Sequence, residues 1–125
     1  MSITVDWDNN EKTIIRQTYV GKWTWDEFYA SCEEFALLAQ TVPHTVHMLI
    51  DMRHAGPLPG GALSHIGALN RLPPNMGRIV AVGVGSFVMR MFNVAAAVRP
   101  AVKERILIVA TLDEAYSHLK ESRVG

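Results

Sequence analysis

Residues 45–52 have the sequence Thr-Val-His-Met-Leu-Ile-Asp-Met, an apolar run without the regular polar alternation of a half-exposed strand. Such a run is typical of a strand buried on both faces, as in a parallel sheet covered by helices. Two later runs, 78–84 and 104–109, are also rich in Ile and Val. We therefore expect a sheet whose later strands are parallel and joined by right-handed helical crossovers.

Two strands are predicted ahead of this run. Residues 2–7 and 12–20 alternate between apolar and polar side chains, and 8–11 has the sequence Asp-Asn-Asn-Glu. Asn tolerates the positive φ that a tight hairpin turn requires, so this pair is expected to be antiparallel.

Helical segments separate the later strands. Residues 24–27, Thr-Trp-Asp-Glu, form a capping box that opens a first helix, and a second helix is predicted at 62–72. Ser86 is expected to cap a third helix at 87–99, and a second capping box opens a final helix at 111–122. The sequence thus predicts one α/β domain over residues 1–125, with a mixed five-stranded sheet, four helices and the order ββαβαβαβα.

Composition narrows the classes of protein. The net charge of zero gives no electrostatic reason to expect nucleic-acid binding. Cys32 is the only cysteine, which excludes an internal disulfide and a Cys-rich zinc site. The opening residues lack the basic stretch and apolar core of a secretory signal peptide. No apolar run reaches the length of a membrane span. We therefore expect a cytoplasmic protein without a membrane-spanning segment.

Three short motifs and the element order carry a resemblance to a known family. They are Gly21-Lys22-Trp23-Thr24 before the first helix, Leu49-Ile50-Asp51 at the end of the third strand, and Thr111-Leu112-Asp113-Glu114-Ala115 at the last helix. The chain resembles, over nearly its whole length, the SpoIIAA-like fold of STAS domains, which occur in bacterial anti-sigma-factor antagonists and transporter tails. It is also similar to the related lipid-binding CRAL-TRIO, or Sec14-like, fold.

The resemblance implies a loop that would carry a regulatory switch. STAS antagonists carry a phosphorylated Ser or Thr in the loop after the strand that matches 49–51. Here residues 56–61 are Gly-Pro-Leu-Pro-Gly-Gly, which contain no hydroxyl group, and Ser64 comes three residues later. We therefore expect the phospho-switch serine to be absent.

Polar residues after the third strand form the first candidate site. Asp51, Arg53 and His54 follow a central strand at its carboxyl end, where open α/β sheets usually bind ligands. An acid, a base and an imidazole could support proton transfer. Alternatively, Asp51 bonds loop amides and Arg53 pairs with it. No nucleophile is recognisable nearby, so no catalytic residue is assigned.

A glycine-containing turn forms the second candidate site. Gly83, Gly85 and Ser86 lie between a predicted strand and the third helix, where backbone amides can hold an anion. The dinucleotide fingerprint is not completed, because Val88 stands where its third glycine belongs. A tight turn followed by a serine cap explains the same residues. Neither site indicates a cofactor.

No metal site is predicted. His44 and His47 are three residues apart in an extended segment and so point to opposite faces, while His65 and His118 have no candidate ligands beside them in the sequence. Cys32 lies on the inward stripe of the first helix and is interpreted as a small core residue.

The third predicted helix is apolar around most of its circumference. It is interpreted as a fully buried core helix, a self-association surface or the wall of a lipid-like ligand pocket. The candidate interface residues are Phe87, Met89, Arg90, Met91, Phe92 and Val94. The sequence therefore predicts a non-enzymatic interaction or regulatory domain, active as a homodimer through this helix. The alternative is a carrier or sensor of a small apolar ligand.

Overall fold

Five strands form one mixed sheet in the computed structural model, which describes residues 2–65, 73–98, 100, 104 and 106–124. The strands are β1 (Ile3–Trp7), β2 (Ile14–Gly21), β3 (Val46–Ala55), β4 (Met76–Val82) and β5 (Ile106–Val109). They lie side by side in chain order, with β1 antiparallel to β2 and the remaining neighbours parallel. The predicted α/β class and mixed five-stranded sheet are confirmed.

The helices are α1 (Trp25–Ala39), α2 (Ala62–His65), α3 (Ser86–Val98) and α4 (Leu112–Val124). Within the described residues only α1, α3 and α4 are longer than one turn. The described structure therefore has three helices of more than one turn, whereas four helices were predicted. The second predicted helix, 62–72, is described only over its first four residues, and 66–72 lie outside the described part of the chain.

The sheet has an apolar core on each face. Met48 and Ile50 of β3 pack in a first core with Phe35 of α1, while Leu49 packs in a second core with Leu119 of α4. Because neighbouring side chains of a strand point to opposite faces, one continuous apolar run serves both cores. Every residue from Val46 to Asp51 is buried, as the run predicted.

The β1–β2 hairpin differs from the expectation in one detail. The positive φ of its turn belongs to Lys12, at 57°, and not to an asparagine. Asn9 stabilises the turn with its side chain instead, because its Oδ1 accepts hydrogen bonds from the backbone N–H groups of Thr13 and Ile14.

Two of the long helices begin with the predicted capping interactions. The N–H of Glu27 donates to Oγ1 of Thr24 at 3.2 Å, and the N–H of Glu114 donates to Oγ1 of Thr111 at 3.2 Å. At α3 the prediction is wrong by one residue. Ser86 is the first helical residue, and the carbonyl of Gly85 accepts the first helical hydrogen bond, from Met89 at 3.0 Å. Gly85 is therefore the N-cap, and it has no side chain with which to cap the first turn.

A glycine of β4 makes room for a buried histidine. A methyl group at Gly77 would lie 2.5 Å from Cε1 of His47 and closer still to Nδ1. His47 is 5% exposed, and its Nδ1 accepts a hydrogen bond from the N–H of Arg78 at 2.9 Å. The ring cannot move aside without losing this bond.

We expect Gly77→Ala to lower the free energy of unfolding by about 1–3 kcal/mol, because the new methyl group overpacks a buried ring. Urea unfolding followed by circular dichroism measures the change. Gly60→Ala is the matched control, since a methyl group there meets nothing within 4 Å; it should stay within about 0.5 kcal/mol of the wild type. Equal stability of the two variants would contradict this account of Gly77.

Candidate functional site

The carboxylate of Asp51, on β3, is 1% exposed and is held by two arginines. Its Oδ1 accepts from the backbone N–H of Arg53 at 3.1 Å and from Nε of Arg53 at 2.9 Å. Its Oδ2 accepts from Nη2 of Arg53 at 2.9 Å and Nη2 of Arg16 at 2.6 Å. The hydrogen bonds from Arg53, with help from Arg16, hold the pKa of Asp51 far below its usual range despite burial. Asp51 therefore stays ionised and is a poor proton acceptor at neutral pH.

This ion pair extends across the face of the sheet that α4 covers. Nη1 of Arg16 lies 3.8 Å from Oδ1 of Asp8, which also accepts a hydrogen bond from the hydroxyl of Tyr116 at 2.9 Å. The network joins the hairpin, β2, β3 and α4. Asp8, Arg16 and Tyr116 were not predicted as site residues, because each is far from Asp51 in the chain and only strand register and helix packing bring them together.

An open cavity of about 650 Å³ lies beyond the carboxyl ends of β3 and β4. One side is lined by Met52, Arg53 and the segment 55–58, and the other by the β4–α3 turn, 83–86. Its volume lies within the range of about 300–1,000 Å³ that small-molecule sites occupy. The position agrees with the rule that α/β sheets bind ligands at this end of their strands.

Most of the residues of the two predicted ligand sites meet at this cavity. Arg53, Gly83, Gly85 and Ser86 all line it, and Asp51 lies beneath it and holds Arg53. His54 is exposed on the opposite side of the strand from Arg53 and is not among the described lining residues. Residues of the two candidate sites, which were predicted separately, therefore lie at one cavity, and His54 is not among its described lining residues.

Gly83 allows the two sides of the cavity to meet. It has a φ of +77°, and a methyl group on it would lie 2.7 Å from N, Cα and Cγ of Arg53. Any larger residue would therefore push Arg53 away from the turn as well as strain the backbone. The tight-turn interpretation explains Gly83, whereas Gly85 borders open space.

An aromatic cluster between α1 and α2 was not expected from the sequence. The imidazole of His65 stacks on the indole of Trp25, with centroids 4.7 Å apart and planes 18° from parallel. Nδ1 of His65 lies 2.6 Å from the hydroxyl of Tyr29, and Nε1 of Trp25 donates to the carbonyl of Gly60 at 2.6 Å. These contacts attach α2 and the loop before it to α1.

The histidines and the cysteine show no convergence on a metal. Among the described residues, no group of three or more His, Cys, Asp and Glu side chains is placed to hold an ion. Burial raises the pKa of the Cys32 thiol to about 11, so little of it is thiolate at neutral pH.

α3 exposes several of the predicted interface residues. Val94 is 58% exposed and Met89 38% exposed, and Arg90 is also exposed, while Phe92 is half-buried. Val98, one turn after Val94, is 77% exposed. The interpretation of α3 as a fully buried core helix is therefore wrong. The side chains of Phe87 and Met91 lie outside what the structure describes.

The fold and the cavity define an α/β domain with an open pocket at the carboxyl edge of its parallel strands. No family model matches the sequence, and no match is found among the curated proteins compared with it. None of the helices in the described ranges combines the length and the apolar character that crossing a membrane requires.

The Asp51 network predicts a specific dependence of stability on pH. Because the folded pKa of Asp51 is lowered, its contribution is complete above the unfolded pKa of about 4 and is lost as the pH falls below it. We expect Asp51→Asn to lower the free energy of unfolding by about 3–5 kcal/mol at neutral pH. The difference from the wild type should shrink as the pH falls toward about 3.

Urea unfolding at several pH values measures this difference. Asp6→Asn is the matched control, because Asp6 is an exposed aspartate of β1. It should change the free energy of unfolding by no more than about 0.5 kcal/mol at any pH. A constant difference between Asp51→Asn and the wild type from neutral to acid pH would refute the role given to this carboxylate.

Proposed function

We propose that this chain is a non-enzymatic interaction or regulatory domain that resembles STAS proteins and acts as a homodimer through α3. The observation that carries the proposal is the exposed apolar face of α3, where Val94 and Val98 are 58% and 77% exposed. Side chains four residues apart lie on the same side of a helix, so these two valines and Arg90 form one row. An exposed apolar patch rimmed by polar residues is typical of a protein-interaction surface.

A second copy of the chain fits this row. If two α3 helices pack antiparallel with Val94 on the two-fold axis, Arg90 of one copy lies beside Val98 of the other. The two Arg90 positions are then separated by about 12 Å along the helix axis, at about 1.5 Å per residue. The aliphatic part of each arginine can cover a valine while its charge reaches water. The row is therefore self-complementary.

The Asp51 network supports a role without catalysis. Asp51 was predicted, with Arg53 and His54, as part of a possible proton-transfer site, and both of its oxygens accept hydrogen bonds from arginine. The residue stabilises the sheet end and orients Arg53. The loop of residues 56–61 before α2 has no hydroxyl side chain, which supports regulation through binding rather than through the STAS phosphoserine.

We expect sedimentation equilibrium at micromolar concentration to show a dimer. Val94→Glu should weaken dimerisation by about tenfold or more, because it places two like charges against each other at the centre of the interface. Leu37→Glu is the matched control, since Leu37 is 67% exposed on α1, away from the proposed interface. It should leave the dimer intact. A monomeric wild type, or equal dissociation of both variants, would overturn the proposal.

The cavity supports a second candidate function, the carrying or sensing of a small ligand with an apolar part. Met52, Leu58 and Val84 contribute apolar side chains to the cavity and also pack against the first core. Such a wall favours binding of apolar surface that would otherwise face water.

For this function, native mass spectrometry of freshly purified protein should reveal a co-purifying ligand. Thermal unfolding across a panel of lipids and small amphiphiles is the second measurement, because a ligand that binds only the folded state raises Tm. An apo mass together with an unchanged Tm across the panel would exclude the carrier function.

A further inference from the structure

We propose that the cavity binds a small organic anion with an apolar body, whose acidic end contacts Arg53 and whose body packs against Met52, Leu58 and Val84. The proposal names a ligand class for the second candidate function and rests on it. The juxtaposition that carries it is a guanidinium fixed at the edge of a cavity with an apolar wall.

Arg53 is held in position with part of its guanidinium free. Nε and Nη2 donate to Asp51, which leaves Nη1 without a hydrogen-bond partner in the described parts of the chain. The arginine side chain is 40% exposed, whereas the Asp51 side chain that orients it is 1% exposed. A guanidinium fixed in this way loses little entropy when it receives an anion.

The charge around Arg53 favours an anion. None of the described residues that line the cavity is acidic. Asp51 is the carboxylate bonded to Arg53, and it is shared with Arg16 at 2.6 Å. Because Asp8 also lies 3.8 Å from Arg16, the network holds two carboxylates and two guanidinium groups. Arg53 is the only one of these four charged groups that lines the cavity, so the charge presented there is positive.

The β4–α3 turn adds neutral donors on the other side of the cavity. Ser86 contributes a hydroxyl, and Gly85 leaves open space in front of the first turn of α3. Thr24 and Thr111 cap the first turns of the other two long helices, but Gly85 has no side chain to do so. The first-turn amides of α3 can therefore add hydrogen bonds to an acidic group that Arg53 already attracts.

The apolar wall of the cavity favours an organic anion with an apolar body over an inorganic anion. An inorganic anion would contact Arg53 and leave the wall in water. A purely apolar molecule would cover the wall but remove water from the guanidinium without replacing its hydrogen bonds, which is costly. A carboxylate or phosphate ester with an apolar body satisfies both parts.

Calorimetric titration of the full chain with four probes tests the ligand class. Octanoate and octyl phosphate should bind, and they distinguish the two acidic groups. Acetate and 1-octanol should bind at least about tenfold more weakly, because each lacks one part of the ligand. Equal binding of octanoate and 1-octanol would overturn the anion inference and leave the carrier function standing. No binding of octanoate or octyl phosphate would overturn the anion inference, whereas the carrier function is overturned by an apo mass and an unchanged Tm across the lipid panel.

Substitutions at Gly85 test the location. Gly85→Asp places a carboxylate at the α3 N-cap in open space and should weaken octanoate binding by about tenfold or more through charge repulsion. Gly85→Asn has the same shape without the charge and should bind at least about fivefold more tightly than Gly85→Asp. Both residues are favourable N-caps, so neither variant should unfold more readily than the wild type.

Gly60→Asp is the control for charge alone. Gly60 also borders open space but does not line the cavity among the described residues. This variant should bind octanoate as the wild type does. Equal weakening by Gly60→Asp and Gly85→Asp would place the effect in the overall charge of the protein and would overturn the site.

Discussion

The buried ion pair between Asp51 and its two arginines is the constraint on which the carboxyl edge of the sheet depends. A carboxylate that is 1% exposed is strongly unfavourable unless it is paired and hydrogen-bonded, so Arg16 of β2 must lie beside Asp51 of β3. A one-residue slip between these strands would turn Arg16 to the opposite face and leave Asp51 paired with Arg53 alone. The same pairing directs Arg53 toward the cavity.

Gly83 couples this ion pair to the next strand. The β4–α3 turn passes so close to Arg53 that a methyl group at Gly83 would contact the backbone of that arginine. The backbone of Arg53 and the turn are therefore closely packed, and the turn carries Gly85 and Ser86 at the start of α3. The geometry of the cavity therefore follows from one ion pair and one glycine.

Local sequence patterns predicted the elements of this fold better than the contacts between them. The apolar run before Asp51 and the capping boxes at Thr24 and Thr111 act over a few residues, so their structures could be predicted from spacing alone. The bond between Arg16 and Asp51 and the stacking of His65 on Trp25 join residues 35 and 40 positions apart. Such contacts depend on strand register and helix packing, which no local pattern specifies.

The sequence was most ambiguous about what covers the apolar surface of α3, and both functional proposals involve this helix. A helix with apolar side chains around most of its circumference is unfavourable in water. The pattern does not show whether the core, a second copy or a ligand covers each side. The N-terminus of α3 lines the cavity, and the row ending at Val98 begins one turn later at Arg90. Because one rigid helix carries both surfaces, a ligand that shifts α3 would change the affinity between two copies. Dimerisation would then change ligand affinity by the same factor, since the coupling between two binding equilibria is reciprocal.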